Sequence, residues 1–253
     1  MIKNEYGLLN SQKMSLKSAR KHVNILNVRL DSTSIEEVLN TIGDFRQSKH
    51  KFSLFTLNPE ILVEAEKNKN FQKILNSADL SIPDGIGLKI AEPSLKIIKG
   101  RELFLKLLSL ARKKNWKVFF LGGMGIKNVT TGPALDKNGE PSSEEDRKIE
   151  IEIIEKINKL KPDILFVGFG YPKQERWIYK WLSKLEVGGA MAVGGTFDYV
   201  FGKAKLPPVW LEKAGLEWFW RLLNEPKRIF RIFNAVIIFP LKILCSKLWQ
   251  KRA

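Results

Sequence analysis

Asp84 follows the apolar run Leu80–Ile82 and stands between Pro83 and Gly85. A strand there carries the carboxylate to its C-terminal edge, where it is placed to take a proton from a hydroxyl. Pro-Asp-Gly is also ordinary turn chemistry, and on local sequence alone the turn is the stronger reading. Thr56 and Asn58 flank Leu57 at the end of another apolar run. In a strand their side chains share one face, which suits sugar hydroxyls or an acetamido group. Asn58 equally suits a helix cap. In Gly168-Phe-Gly-Tyr-Pro-Lys-Gln-Glu-Arg-Trp177, Pro172 opens a helix with Lys173 and Gln174 in its first turn. Backbone N–H groups, the helix dipole and a lysine make an anion or polyol site, or simply a well-capped helix start. Gly194-Gly195-Thr-Phe-Asp198 repeats that design, with Asp198 free to cap a helix or accept from a sugar. Gly122-Gly123 suggests a turn that lets a nucleotide approach, but Met124-Gly125 does not complete a dinucleotide fingerprint, and no Walker lysine motif is present.

The last fifty residues add cations. Arg221, Arg228 and Arg231 recur among tryptophans, phenylalanines and isoleucines. At about 100° per residue, steps of seven and three put them on one side of a helix, which Pro226 kinks or restarts. From Ala204 to Ala253 there are ten Lys/Arg against three Glu, and four of the seven tryptophans. An apolar segment with an arginine stripe suits an anionic membrane surface or a phosphorylated ligand. The plainer alternative is a solvated basic face.

With 253 residues and a net charge of +16, the chain can bury a real core and should seek anionic partners. A single cysteine, Cys245, rules out an internal disulfide and fits a reducing compartment. Two histidines and one cysteine argue against a protein-built zinc site. The N-terminus lacks the apolar core of a signal peptide. Ile232–Leu241 is the longest charge-free apolar stretch of the tail. It is short of the roughly 20 residues that span a bilayer, so the tail is expected to lie on a membrane rather than cross it.

These residues need elements to position them. Strands are expected at Val23–Leu30, Phe52–Leu57, Leu80–Ile82, Val118–Leu121, Ile164–Val167 and Ala190–Val193. Helices are expected after Ser34 (with Glu37 at capping-box spacing), after Asn58-Pro59, over Glu102–Lys114, after Ser142-Ser143 and after Pro172. Alternating strands and helices predict an α/β fold: a Rossmann-like, mostly parallel sheet flanked by helices. Its ligand should sit beyond the carboxyl ends of the strands, where the residues above collect. Residues 1–21 read as a mobile basic leader, 22–203 as the catalytic domain and 204–253 as a helical, membrane-associated C-terminal appendage.

Thr56-Leu-Asn-Pro-Glu60, Ala78 through Gly87, Gly100-Arg101, Val118 through Gly123, Pro162 through Trp177, Gly194 through Asp198 and Gly215 through Arg231 resemble, in order and spacing, the WecG/TagA/CpsF glycosyltransferases. The resemblance covers about residues 22–244. It implies a metal-independent, inverting transfer of an N-acetylhexosamine, typically N-acetylmannosamine. The donor would be a UDP-sugar and the acceptor an N-acetylglucosamine on undecaprenyl diphosphate, at the cytoplasmic face of a bacterial membrane. No cofactor and no nucleic acid are implied, and a homo-oligomer stays open. On this resemblance Asp84 is the base. Thr56, Asn58, Gly122, Gly123, Lys173, Gln174, Gly195 and Asp198 bind substrate, and Arg221, Arg228 and Arg231 bind the diphosphate. Without a metal, a cation must stabilise the leaving UDP, and arginine's fork suits that. The rival reading is a non-catalytic membrane or nucleic-acid binding module on the same scaffold.

Two stretches depart from the family. Between Gly123 and Thr131 the chain is shorter than the family leads one to expect. A helix and a strand after the glycine pair should be missing, which would weaken the sheet or expose an edge. Leu206 stands where relatives often carry a basic residue.

Overall fold

The computed structural model describes residues 20–123, 125–202, 204–226 and 229–250, without the side chains of Arg221, Trp249 and Gln250. It opens on a hairpin. β1 (His22–Ile25) and β2 (Val28–Asp31) pair antiparallel, with Ile25 opposite Val28. Leu26 and Asn27 between them have φ of 50° and 61°, the left-handed pair that a two-residue hairpin turn requires. The single strand expected over Val23–Leu30 is therefore folded in two. Leu-Asn carries no Asn-Gly signal, so the alternating pattern runs straight through the turn.

α1 (Ile35–Gln47) starts with the expected capping box. Ser34 Oγ accepts from the Glu37 N–H at 3.2 Å, and Glu37 Oε2 accepts from the Ser34 N–H at 2.8 Å. β3 (Phe52–Leu57) leads into α2 (Pro59–Lys67). Asn68 ends α2 and caps α3 (Lys69–Ser77), a helix the sequence pattern did not set apart. β4 (Leu80–Pro83) ends at Asp84 and a 3₁₀ turn follows; then come α4 (Gly100–Lys113), β5 (Val118–Leu121), α5 (Glu144–Leu160), β6 (Ile164–Val167), α6 (Lys173–Trp181) and β7 (Gly189–Ala192).

The five strands after the hairpin form one parallel sheet in the order β4-β3-β7-β6-β5. Both faces are covered. Phe52 and Leu54 of β3, with Ile164 and Phe166 of β6, point into one core; Phe55, Leu57, Leu165 and Val167 point into the other. That alternation of uniformly apolar residues is what a doubly covered parallel sheet demands.

β5 is an edge of the sheet, but it is not bare. The Thr130 N–H donates to Phe120 O and the Gly122 N–H donates to Thr130 O, both at 2.9 Å. The short loop thus supplies a stub of pairing at that edge.

The chain continues through α7 (Thr196–Val200), α8 (Val209–Lys213) and α9 (Glu217–Asn224). After the expected break at Pro226, α10 (Ile229–Phe233), a π-helical turn (Asn234–Ile238) and α11 (Phe239–Gln250) follow one another. Ile229–Leu248 is a helix of 20 residues with mean hydropathy 1.8, long and apolar enough to cross a membrane by length and composition. Counting only the charge-free run Ile232–Leu241 underestimated it. One side of it is nevertheless docked: Phe239 and Ile243 are buried in the core beside α2. Lys242 pairs with Glu66 of α2. The other side leaves Phe230, Phe233, Leu241, Leu244 and Leu248 in solvent, Phe230 at 80% exposure.

Candidate active site

A cleft of about 800 Å³, open solvent at its mouth included, lies at the C-terminal edge of the sheet. That is where a parallel α/β sheet is expected to receive its ligand. β3 and β4 are paired with Leu57 beside Pro83, which carries Thr56 and Asp84 to the same edge. The Asp84 N–H donates to Leu57 O at 2.8 Å, fixing the turn. A methyl group placed on Gly100 would lie 3.1 Å from Asp84 Oδ2 and 3.2 Å from Thr56 Oγ1. The two oxygens therefore converge on the first turn of α4. A side chain there would press on both oxygens, so glycine keeps the space between helix and carboxylate open.

Asn58 is the helix cap the sequence allowed, and it stands in the cleft wall. Its Oδ1 caps α2 by accepting from the Ile61 N–H at 3.0 Å. Gln174, Gly195 and Arg231 line the cleft as well. Arg231 stacks over the Tyr171 ring at 4.2 Å and faces Glu60 at 3.7 Å. Burial, then the charge of Glu60, pushes the Tyr171 phenol up from its ordinary value, and Arg231 opposes the shift.

Four expected residues do not line this cleft. Gly122, with φ of 100°, lies against the Phe169 ring, and Gly123 lies against Val129 and Ile126. Both serve the close packing of the loop beyond β5. Lys173 donates to the Leu135 carbonyl and so ties down that same loop. Asp198 sits in α7, where its carbonyl accepts from the Ala204 N–H at 2.7 Å. Arg228 and the side chain of Arg221 lie outside the described residues.

The sequence missed other parts of the lining. Lys99 and Arg101 flank Gly100 at the mouth of the cleft. Glu212 of α8 accepts from Lys99 at 2.5 Å and from Arg101 at 3.0 Å; Glu217 of α9 lies 3.4 Å from Lys99. The Lys99 hydrogen bond, helped by the charges of Lys99 and Arg101 and opposed by burial, holds the Glu212 carboxyl below its ordinary value. Gly100-Arg101 was visible as a motif, but nothing local tied it to a carboxylate sixteen positions earlier in the chain. Tyr171, Thr196 and Tyr199 complete the wall. Among the described residues, no three His, Cys, Asp or Glu side chains gather as metal ligands.

Glu175 lies directly behind Gln174. It is fully buried, and its Oε1 accepts from Gln174 Nε2 at 2.8 Å while Oε2 has no partner. Burial pushes its carboxyl up from 4.5 to about 7, against the Gln174 amide and the charges of Arg231 and Arg176. A carboxyl raised in the folded state binds its proton more tightly there than in the unfolded chain. Its contribution to stability is complete below pH 4.5 and is lost as pH rises through 7. At 1.36 kcal/mol per unit, the loss between pH 5 and 8 is about 3 kcal/mol. Glu175→Gln should remove that slope. Urea unfolding at pH 5 and pH 8 should show wild type losing more stability than the variant, and equal losses would refute the assignment.

The lining thus combines a carboxylate beside a hydroxyl, a buried amide, three cations and two further carboxylates, Glu60 and Glu217, that face those cations. It can deprotonate a hydroxyl, hold polar sugar groups and neutralise a diphosphate. Residues 23–253 match the model of the glycosyl transferase WecG/TagA/CpsF family. The chain is 31% identical, over 91% of its length and 95% of theirs, to proteins of Staphylococcus aureus strains MRSA252 and MW2. Those proteins are named N-acetylglucosaminyldiphosphoundecaprenol N-acetyl-beta-D-mannosaminyltransferase. The non-catalytic alternative is not favoured. Cleft and match agree, and the chain belongs to the WecG/TagA/CpsF family of glycosyltransferases.

Proposed function

We propose that the chain transfers N-acetylmannosamine from its UDP derivative to N-acetylglucosamine carried on undecaprenyl diphosphate, with inversion at the anomeric carbon. The observation that carries this is the convergence of Asp84 and Thr56 on Gly100, in a cleft that also holds Lys99, Arg101 and Arg231. The printed activity of the Staphylococcus aureus relatives supplies the donor and acceptor classes.

The acceptor hydroxyl gives its proton to Asp84 as its oxygen bonds the anomeric carbon. The bond from that carbon to the UDP β-phosphate oxygen breaks, and UDP leaves with the bonding pair. The cations of the cleft stabilise the charge on the leaving diphosphate. Thr56, Asn58 and Gln174 hold sugar hydroxyls and the acetamido group. The helix from Ile229 lies in the interface of an anionic membrane, at its cytoplasmic face. The docking of Phe239 and Ile243 supports lying over crossing, because a helix held to the domain on one side has only its other side for lipid.

The test incubates the protein with a panel of UDP-N-acetylhexosamines and a short-chain lipid-diphosphate–GlcNAc acceptor, with and without EDTA, and reads products by mass. The expected result is one added N-acetylhexosamine from the manno donor, with EDTA making no difference. No product with any donor, or activity lost to EDTA and restored by Mn²⁺ or Mg²⁺, would overturn the proposal.

A further inference from the structure

Gln174 is only 3% exposed, yet it reaches the wall of the cleft. Its amide is gripped at both ends. Nε2 donates to Glu175 Oε1 at 2.8 Å, and Oε1 accepts from the Gly194 N–H at 3.0 Å. A side-chain amide has two donors and two acceptor sites. One of each is taken, so a ligand meets one N–H and one lone pair. The Gly194 contact alone would fix the orientation weakly, since a flipped amide would lose one bond in exchange for water. Ionised Glu175 makes the flip unfavourable, because the flipped state would set two acceptors face to face, the Gln174 carbonyl oxygen and Glu175 Oε1, inside a dry core.

Beyond the charges of Arg231 and Arg176 and its own backbone N–H, the carboxyl has no other visible task. Its Oε2 has no hydrogen-bond partner, and no ion pair is made to it among the described residues. A buried, half-satisfied carboxyl is a poor stabiliser, and an apolar side chain of similar volume often does as well or better. Its bond to Gln174 is what remains.

We propose that Glu175 is a positioning residue for the transfer, acting through Gln174. It fixes the amide with Oε1 on Gly194 and a single Nε2 hydrogen left for an acceptor oxygen of the donor sugar. This rests on the function proposed above, in which Gln174 contacts the sugar. Glu175 touches no substrate. Gln174 opens α6 and Gly194 follows β7, so the same chain of bonds ties the start of that helix to the end of that strand beneath the sugar.

The test is a double-mutant cycle on kcat/KM for the UDP-sugar, using Gln174→Ala, Glu175→Met and both together, beside Glu175→Gln. Glu175→Met should lower kcat/KM by about 10-fold or more while its melting temperature does not fall. Added to Gln174→Ala it should cost nothing further, because each change removes the same contact. Glu175→Gln keeps an oxygen for Nε2 and should retain activity within about threefold. Additive losses, or an unimpaired Glu175→Met, would overturn the proposal. Should Glu175→Met fail to fold, Glu175→Asp replaces it: the charge stays, the reach is lost, and the same fall is expected. The ¹⁵N side-chain amide signal of Gln174 is read in the same proteins, assigned by its loss in Gln174→Ala. In wild type and Glu175→Gln it should exchange slowly with solvent, and in Glu175→Met quickly. If wild type transfers no sugar, the proposed function fails, and the amide signal still decides whether Glu175 holds Gln174.

Discussion

Asp84→Asn should lower turnover by roughly 10²–10⁴, the range associated with general base catalysis. Affinity for the UDP-sugar should stay near that of wild type. The residue follows β4, and its Oδ2 converges with Thr56 Oγ1 on the start of α4. Asparagine keeps the size and most of the hydrogen bonding but cannot take a proton. A base acts on the acceptor hydroxyl, so the loss should fall on kcat and not on donor binding. Isothermal titration with the UDP-sugar and steady-state kinetics separate the two. Turnover like that of wild type would remove Asp84 from the mechanism. A parallel collapse of donor affinity would make it a binding residue.

Arg231→Ala should lower transfer to a soluble acceptor analogue by about 10²-fold, the scale on which one charge-stabilising donor acts. Vesicle binding should change little. Arg231 lines the cleft and is held by the Tyr171 ring and Glu60. Its guanidinium therefore stands ready for a diphosphate, which would compete with a carboxylate 3.7 Å away and a long 3.5 Å hydrogen bond to the Tyr171 carbonyl. The opposite defect should come from the exposed side of the same helix. Changing Phe230, Leu241 and Leu244 together to Gln removes apolar surface that partial insertion would bury at about 25 cal/mol per Å². Binding to anionic vesicles should weaken by about 10-fold or more, with the soluble reaction kept. Truncation after Ile232 is the wrong instrument, because it would strip Phe239 and Ile243 from the core. If Arg231→Ala transfers sugar normally to the soluble analogue, that arginine serves only the membrane.

Much of the frame was legible. The strands at 52–57, 118–121 and 164–167 fall where their apolar runs lie, because burial on both faces leaves an unbroken apolar signature. The Ser34–Glu37 capping box and the Asn58 cap were equally readable, since each is satisfied within a few residues of chain. The β1–β2 turn at Leu26-Asn27 was not, because its left-handed pair has no glycine to announce it. α3 was not either, because one asparagine both ends a helix and starts the next.

The sequence by itself determined the α/β class, the strand ends at which chemistry could gather, and Asp84, Thr56, Asn58 and Gln174 as candidates. Each of these follows from residue type, local spacing and the rule that parallel strands present their carboxyl ends to a ligand. Only the tertiary structure decided which candidates meet. It turned Gly122, Gly123 and Lys173 to the packing of a loop, brought Lys99 and Arg101 to the mouth, and put Glu175 behind Gln174. It also docked the last helix by Phe239 and Ile243. Those outcomes depend on which strands are neighbours and on which side chain fills the space between them. Local spacing carries neither, because the order β4-β3-β7-β6-β5 brings together residues more than a hundred positions apart.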